Sequence, residues 1–248
     1  MVPLIAFSKY LFSSGTTLCY TIVMNDNLST TINNTRKKYR EIFMQSLDAI
    51  QKRINEIKPI NITADIFSNF APGSDGEKWQ LATLEMLTND ISKDILKKWT
   101  QILAYRKEFH CKGCATCCNL ACSEFSPQEL QEKAANGDKF ATQFTSIFIP
   151  YSTRAEAEKI YPEYLAMLKD EGDVYFYHCP KLNECKRCSD YENRPPICKT
   201  FPDNPLAILP KSCGYYPWKQ EVEPVALMLH SMVEIIDYYK SKIPINKD

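Results

Sequence analysis

The chain has 248 residues, is 44% hydrophobic, and balances 30 basic against 30 acidic residues for a formal net charge of zero. That neutrality excludes the basic footprint by which nucleic-acid binders hold phosphates. Seven glycines are too few for a turn-rich all-β chain, so a mainly α fold of one large domain or two modest ones is expected.

Residues 1–24 read MVPLIAFSKYLFSSGTTLCYTIVM. No charged n-region leads into a clean apolar run, so a signal peptide is a poor fit. Lys9, Ser13, Ser14 and Gly15 interrupt the stretch too often for a spanning helix of about 20 apolar residues. We expect translation to start at Met24, treat residues 1–30 as a doubtful extension with Cys19 as a small apolar residue, and expect no membrane partner.

From Thr35 to Lys58, Tyr39, Phe43, Leu47, Ile50, Ile54 and Ile57 recur at three- and four-residue steps. This is one stripe of an amphipathic helix, stopped by Pro59. The segment Pro72–Gly76 (PGSDG) has turn composition and lacks the lysine of a phosphate loop. A second helix is expected over 77–107 with the stripe Leu84, Leu87, Ile91, Ile95, Trp99 and Ile102, and with Trp79 and Trp99 in the core. Residues 31–107 therefore read as a helical hairpin without catalytic side chains.

Further helices are expected from Ser126, where Ser126, Pro127 and Glu129 spell a capping box, over 138–148, and over 154–169. The last of these has a second box at Thr153 and Glu156 and is split by Pro162. The best strand is Asp173–His178 (DVYFYH). Pro195-Pro196 and Phe201-Pro202 argue against regular helix between Tyr191 and Pro210. A final helix is expected over 224–240, faced by Val225, Met228, Leu229, Met232, Ile235, Ile236 and Tyr239, with His230 as a core residue. The expected fold is an irregular helical domain with cysteine-rich loops and little or no sheet. Its parts are a cysteine-cluster domain over 108–213 and a C-terminal helix over 214–248 packing on the core.

Cysteine is the anomaly: of 11, ten lie from Cys111 to Cys213. Secreted disulfide scaffolds are short and usually pair every thiol, whereas this chain is long and its count is odd. The pattern reads as metal chemistry in a cytoplasmic protein. The first group is Cys111-x2-Cys114-x2-Cys117-Cys118, with Cys122 after it. The second is Cys179, Cys185, Cys188 and Cys198, with Cys213 beyond. Two-residue spacing lets two sulfurs converge on one ion. Zinc takes four ligands at about 2.3 Å, and iron–sulfur clusters use the same C-x2-C-x2-C unit with a remote Cys-Pro, here Cys179-Pro180.

Adjacent Cys117 and Cys118 are expected to diverge, toward two centres or one centre and an anchor. Ten thiols could fill two four-thiolate sites and leave two over. Cys111, Cys114, Cys117, Cys118, Cys179, Cys188 and Cys198 are the metal candidates. Cys122, Cys185 and Cys213 are evenly balanced between ligand and buried apolar residue. Thiolate sites carry negative charge, and Arg194, between Asn193 and two prolines, is the cation expected beside the cofactor. Lys112, Lys181, Lys186, Arg187 and Lys199 read as solvated, and His110 and His178 as neighbours of the ligands.

The order C-x2-C-x2-C-C, then Cys179-Pro180-x-Leu182, then Cys188-x2-Tyr191-x2-Arg194-Pro195-x2-Cys198 with Phe201-Pro202 resembles the cysteine-cluster family described as a zinc- or iron-chelating domain. The resemblance covers residues 108–213 and implies zinc or iron held by these cysteines. A branch similar to it is the flagellin lysine N-methylase, which implies an iron–sulfur enzyme as the alternative; a thiol redox protein using the C-x2-C cysteines is a separate one. No radical-type C-x3-C-x2-C motif is present: Phe125 stands where its third cysteine would be. The expected function is therefore metal binding rather than catalysis, with the metal ion as partner and no nucleic acid.

Overall fold

The computed structural model describes residues 26–167, 174–185, 187–207 and 209–244. The expectations for the start of the chain, Cys19 and Lys186 fall outside them. The chain divides into two compact units, Asn33–Tyr105 with the residues from Val222 on, and Arg106–Glu221 with the residues up to Ile32.

In the first unit, helix α1 (Asp26–Glu56) buries Ile50 and Ile54 of the expected stripe. Ile57 lies past its end and is exposed. The second expected helix starts two residues early. Ser74 caps α2 (Asp75–Glu85), its Oγ accepting from Glu77 N, so the turn of PGSDG closes directly into the helix. Within the helical run, Met86–Ile91 form a π-helical turn before α3 (Ser92–Tyr105). The Ser92 hydroxyl donates to Leu87 O at 2.8 Å, five residues back, across this wide turn. Leu87, Ile91, Ile95, Trp99 and Ile102 are buried as expected. Trp79 Nε1 donates to Ile54 O at 3.1 Å, and Gln80 Nε2 donates to Ile66 O and Ser68 O, fixing the loop between the helices.

The last helix departs from its expected start. It runs over Tyr216–Lys242 with Pro224 inside it. Pro224 removes one backbone donor without ending the helix. The turns before it include Trp218, which is fully buried. The buried face is accordingly Val222, Ala226, Leu229, Ile235, Ile236 and Tyr239, while Val225 is exposed. His230 is buried, 3.5 Å from Glu234, and Tyr39 donates to Glu234 at 2.6 Å.

The second unit is built on a small antiparallel sheet, with β3 (Tyr175–His178) between β1 (Ala121–Ser123) and β2 (Ile149–Pro150). Alternate residues of β3 face two cores. Phe176 packs with Leu120, Ala157 and Leu165 beside Tyr164. Tyr177 packs with Leu130, Ala141 and Phe144. The second core is formed by α5 (Pro127–Ala135) and α6 (Lys139–Ile147), and the first by α7 (Arg154–Glu158) and α8 (Pro162–Met167). Pro162 splits the expected helix between α7 and α8. A mainly α fold with one three-stranded sheet results. Among the described residues, no helix is long and apolar enough to cross a membrane.

Two local expectations divide. The capping box at Ser126 forms with both reciprocal bonds. At Thr153 the side chain makes no cap bond; Glu156 instead accepts from Ser152 N at 3.2 Å. Ser126→Ala should therefore cost about 1 kcal/mol. Thr153→Ala should leave the midpoint of urea unfolding almost unchanged. Burial holds His230 below the ordinary histidine value of 6.5, against the pull of Glu234. The unfolded chain binds that proton more readily, so the neutral imidazole's contribution is full above 6.5 and is lost as pH falls below it. His230→Gln should flatten the loss of thermal stability between pH 7 and pH 5, read as the difference in melting temperature from the parent chain.

Candidate metal centre

The sheet brings the two cysteine groups together. The first group ends just before β1, and the second begins just after β3. In an antiparallel pair these two ends coincide. The register Ala121↔Tyr177 extends outward to a hydrogen bond from Cys179 N to Cys118 O at 2.7 Å. Roughly sixty residues of intervening chain are thereby closed at their base.

The first group sits on two tight turns and one short helix. Gly113 has φ +69° and Ala115 φ +61°, left-handed conformations that reverse the chain between Cys111, Cys114 and Cys117. The Gly113 amide donates to Cys111 Sγ at 3.3 Å. Cys114 accepts from both the amide and hydroxyl of Thr116. Cys117 and Cys118 lie in α4 (Thr116–Asn119). The second group starts at the end of β3, where the Lys181 amide donates to Cys179 sulfur. A hairpin follows: Leu182 bridges to Cys188, and Ser189 N donates to Lys181 O at 2.9 Å. That reversal returns Cys188 toward Cys179 and leaves Cys185 exposed in the turn.

Cys198 lies on α9 (Pro196–Thr200), a helical turn that corrects the expectation of no regular helix here. Pro196 stands at the first helical position, where no amide hydrogen is needed, so the prolines open the helix rather than forbid it. The Arg194 guanidinium stacks on Tyr191 at 3.6 Å from the ring centre, its Nε donating to Tyr191 O. From there it acts on both Cys118 and Cys198. Lys181 is paired with Asp190 at 2.7 Å.

Thiols this close repel one another as thiolates and share protons. A hydrogen bond from the Cys213 thiol lowers Cys114 to about 5, and Cys213 is raised correspondingly. Cys117 is raised by its bond to Cys118, by burial and by the charges of Cys118, Cys114 and Cys111, while Cys118 is lowered by the same bond. Cys198 is pushed up to about 11 by burial and by Cys118 and Cys179, with Arg194 opposing.

The ten described cysteines carry free thiols. Among the described residues, no three Cys, His, Asp or Glu side chains are drawn together closely enough to hold an ion as they stand. The donor set nevertheless fits a soft metal. Sulfurs dominate it, and backbone amides two residues on already point at Cys111, Cys114, Cys179 and Cys213. Those are the hydrogen bonds that stabilise metal-bound thiolate. Cys122 is placed differently. It pairs with Phe176 across the sheet, its sulfur 3.7 Å from the Tyr164 hydroxyl. His110 is exposed, and His178 packs against Tyr151 with ring centres 4.9 Å apart.

Two supporting residues escape the cysteine pattern. Arg106 donates to Lys199 O and Phe201 O and lies over the Tyr215 ring, tying the approach to Cys111 to the segments around Cys198 and Cys213. Gly214 lies so close to His110 and Lys112 that a Cβ there would collide with the His110 carbonyl oxygen. Its place directly after a cysteine in a glycine-poor chain is the signal that could have found it. Arg106 has no such signal.

Residues 110–219 match the model of the family CxxCxxCC, described as "Putative zinc- or iron-chelating domain". That match supports metal-ion binding by this segment. No curated protein and no solved structure matches the chain.

Gly214→Ala should lower the melting temperature and the metal retained on purification. Gly137 also has positive φ (+82°) but nothing within 4 Å of its would-be Cβ. Gly137→Ala should therefore pay only a local backbone cost of roughly 1–2 kcal/mol and keep the metal.

Proposed function

We propose that residues 110–219 chelate zinc or iron through Cys111, Cys114, Cys117, Cys118, Cys179, Cys188 and Cys198, and that the metal fastens two distant stretches of chain. The observation that carries this reading is the Cys179 to Cys118 backbone bond, which joins the two thiol groups at one end of the sheet. Because the unfolded chain holds no preformed site, metal affinity becomes folding free energy. Arg194 offsets thiolate charge near Cys118 and Cys198. Unpaired thiols in this number suit a reducing compartment, and we place the protein in the cytoplasm.

Bound zinc would supply a structural tie; a bound iron–sulfur cluster would add electron transfer. Metal and acid-labile sulfide should be assayed on protein purified without oxygen, alongside a visible spectrum. Zinc without sulfide means simple thiolate sites, and iron with matching sulfide and a brown absorbance means a cluster. Stripping the metal with a chelator should lower the melting temperature by well over 10 °C. A chain that purifies without zinc or iron, and melts identically with and without chelator, has no such function.

A further inference from the structure

We infer that Arg106, which lies outside the matched residues 110–219, is a positioning residue for metal retention: its guanidinium caps the C-terminal end of the helical turn that carries Cys198 and clamps that turn to the segments leading to Cys111 and from Cys213. The inference rests on the metal-binding reading above and extends it to a residue that is not a ligand.

The shortness of α9 creates the need. It spans five residues, Pro196–Thr200. A helix leaves its last four carbonyl groups without partners of its own, and in a helix this short that is most of them. Pro196 O accepts from the Thr200 hydroxyl at 2.9 Å, and Ile197 O from Phe201 N at 3.2 Å. Lys199 O, and Phe201 O just beyond the helix, accept instead from Arg106 Nη2, at 3.2 and 2.7 Å, across 93 and 95 residues of chain. An arginine suits this end of a helix, where donors and positive charge are both favourable.

The same guanidinium lies over the Tyr215 ring, 4.5 Å from its centre. Tyr215 is two residues past Cys213, and Gly214 between them approaches the His110 carbonyl oxygen. Arg106 itself opens a 3-10 turn, closed by Phe109 N donating to Arg106 O at 3.1 Å, that leads to Cys111. One side chain thereby meets three stretches of chain, each with a cysteine within five residues of the point of contact.

The turn bearing Cys198 has another anchor in Ile197, which packs against the core around Tyr177. A single anchor leaves a short helix free to pivot about it. Arg106 supplies a second one, and two together fix the direction in which the helix presents Cys198. Lysine could donate to the same carbonyls, but it lacks the planar group that rests on Tyr215 while doing so.

The test is the rate of metal loss from the full chain, purified without oxygen and held in excess chelator well below its melting temperature. Zinc plus iron per chain is followed with time, and helix content by circular dichroism. Arg106→Gln should lose metal roughly tenfold faster than the parent chain, the low end of what supporting residues of metal sites contribute, with helix content unchanged. Arg106→Lys should fall between the two. Tyr215→Leu should also quicken the loss, whereas Tyr215→Phe, which keeps the ring, should match the parent. Ser126→Ala removes a capping bond in the same unit but outside the three stretches, so it reports a purely structural weakening and should lose metal at the parent rate. Parent-like rates in Arg106→Gln and Tyr215→Leu, or an equal quickening in Ser126→Ala, overturn the positioning role and leave metal binding intact. A parent chain that carries neither zinc nor iron overturns the metal-binding reading and this inference with it. Tyr215→Leu keeps the guanidinium and Arg106→Lys keeps the charge, so this pair decides even if Arg106→Gln is insoluble.

Discussion

The antiparallel pairing of β1 with β3 is the constraint on which the cysteine-bearing unit depends. It is short, three residue pairs in all. Yet its direction decides that the end of one cysteine group meets the start of the other. A parallel pairing would send them to opposite ends of the sheet. The strands are held by side chains on both faces: Phe176 anchors one small core and Tyr177 the other. The Tyr177 hydroxyl also donates to Phe125 O, and Tyr151 donates to Asn119 O next to Cys118. Two apolar clusters thus hold in place the backbone that joins the two cysteine groups.

The thiols are prepared for charge rather than merely crowded. Burial and mutual repulsion push several of them toward the protonated form. Amides aimed at individual sulfurs, together with Arg194, push the other way. A cation placed among them would remove the repulsion and keep the favourable donors. On the proposed reading, a bound metal would therefore stabilise the fold that presents the thiols.

Much of this was legible in the residues themselves. Periodicity located the buried faces of α1 and of the α2–α3 run because those stripes are long. The Ser126 box formed because Glu129 is free to reach back, whereas at Thr153 the glutamate serves Ser152 instead. Proline misled twice. Pro224 looked like a helix start, but the helix already runs from Tyr216, with Trp218 fully buried in its first turn. Pro195-Pro196 looked like a barrier and is an opening. The cysteine spacing marked the two segments that the sheet brings together. It left Cys122 evenly balanced between ligand and buried residue, because strand pairing and not spacing turns that side chain toward Tyr164. Arg106 was invisible for a similar reason: its partners are carbonyl oxygens far along the chain, and carbonyls leave no mark in a sequence.

The π-helical turn at Met86–Ile91 has a consequence for how this chain can change length. A wide turn accommodates one residue more than the α-helix around it. Deleting one residue inside it can relax the turn to ordinary helix while leaving Trp79 on one side and Ile95 and Trp99 on the other facing the same core. The same deletion in α3 would rotate everything beyond it by about 100° and carry Trp99 off its buried face. The π turn is therefore the place in this helical run where a lineage can lose a codon and keep the fold.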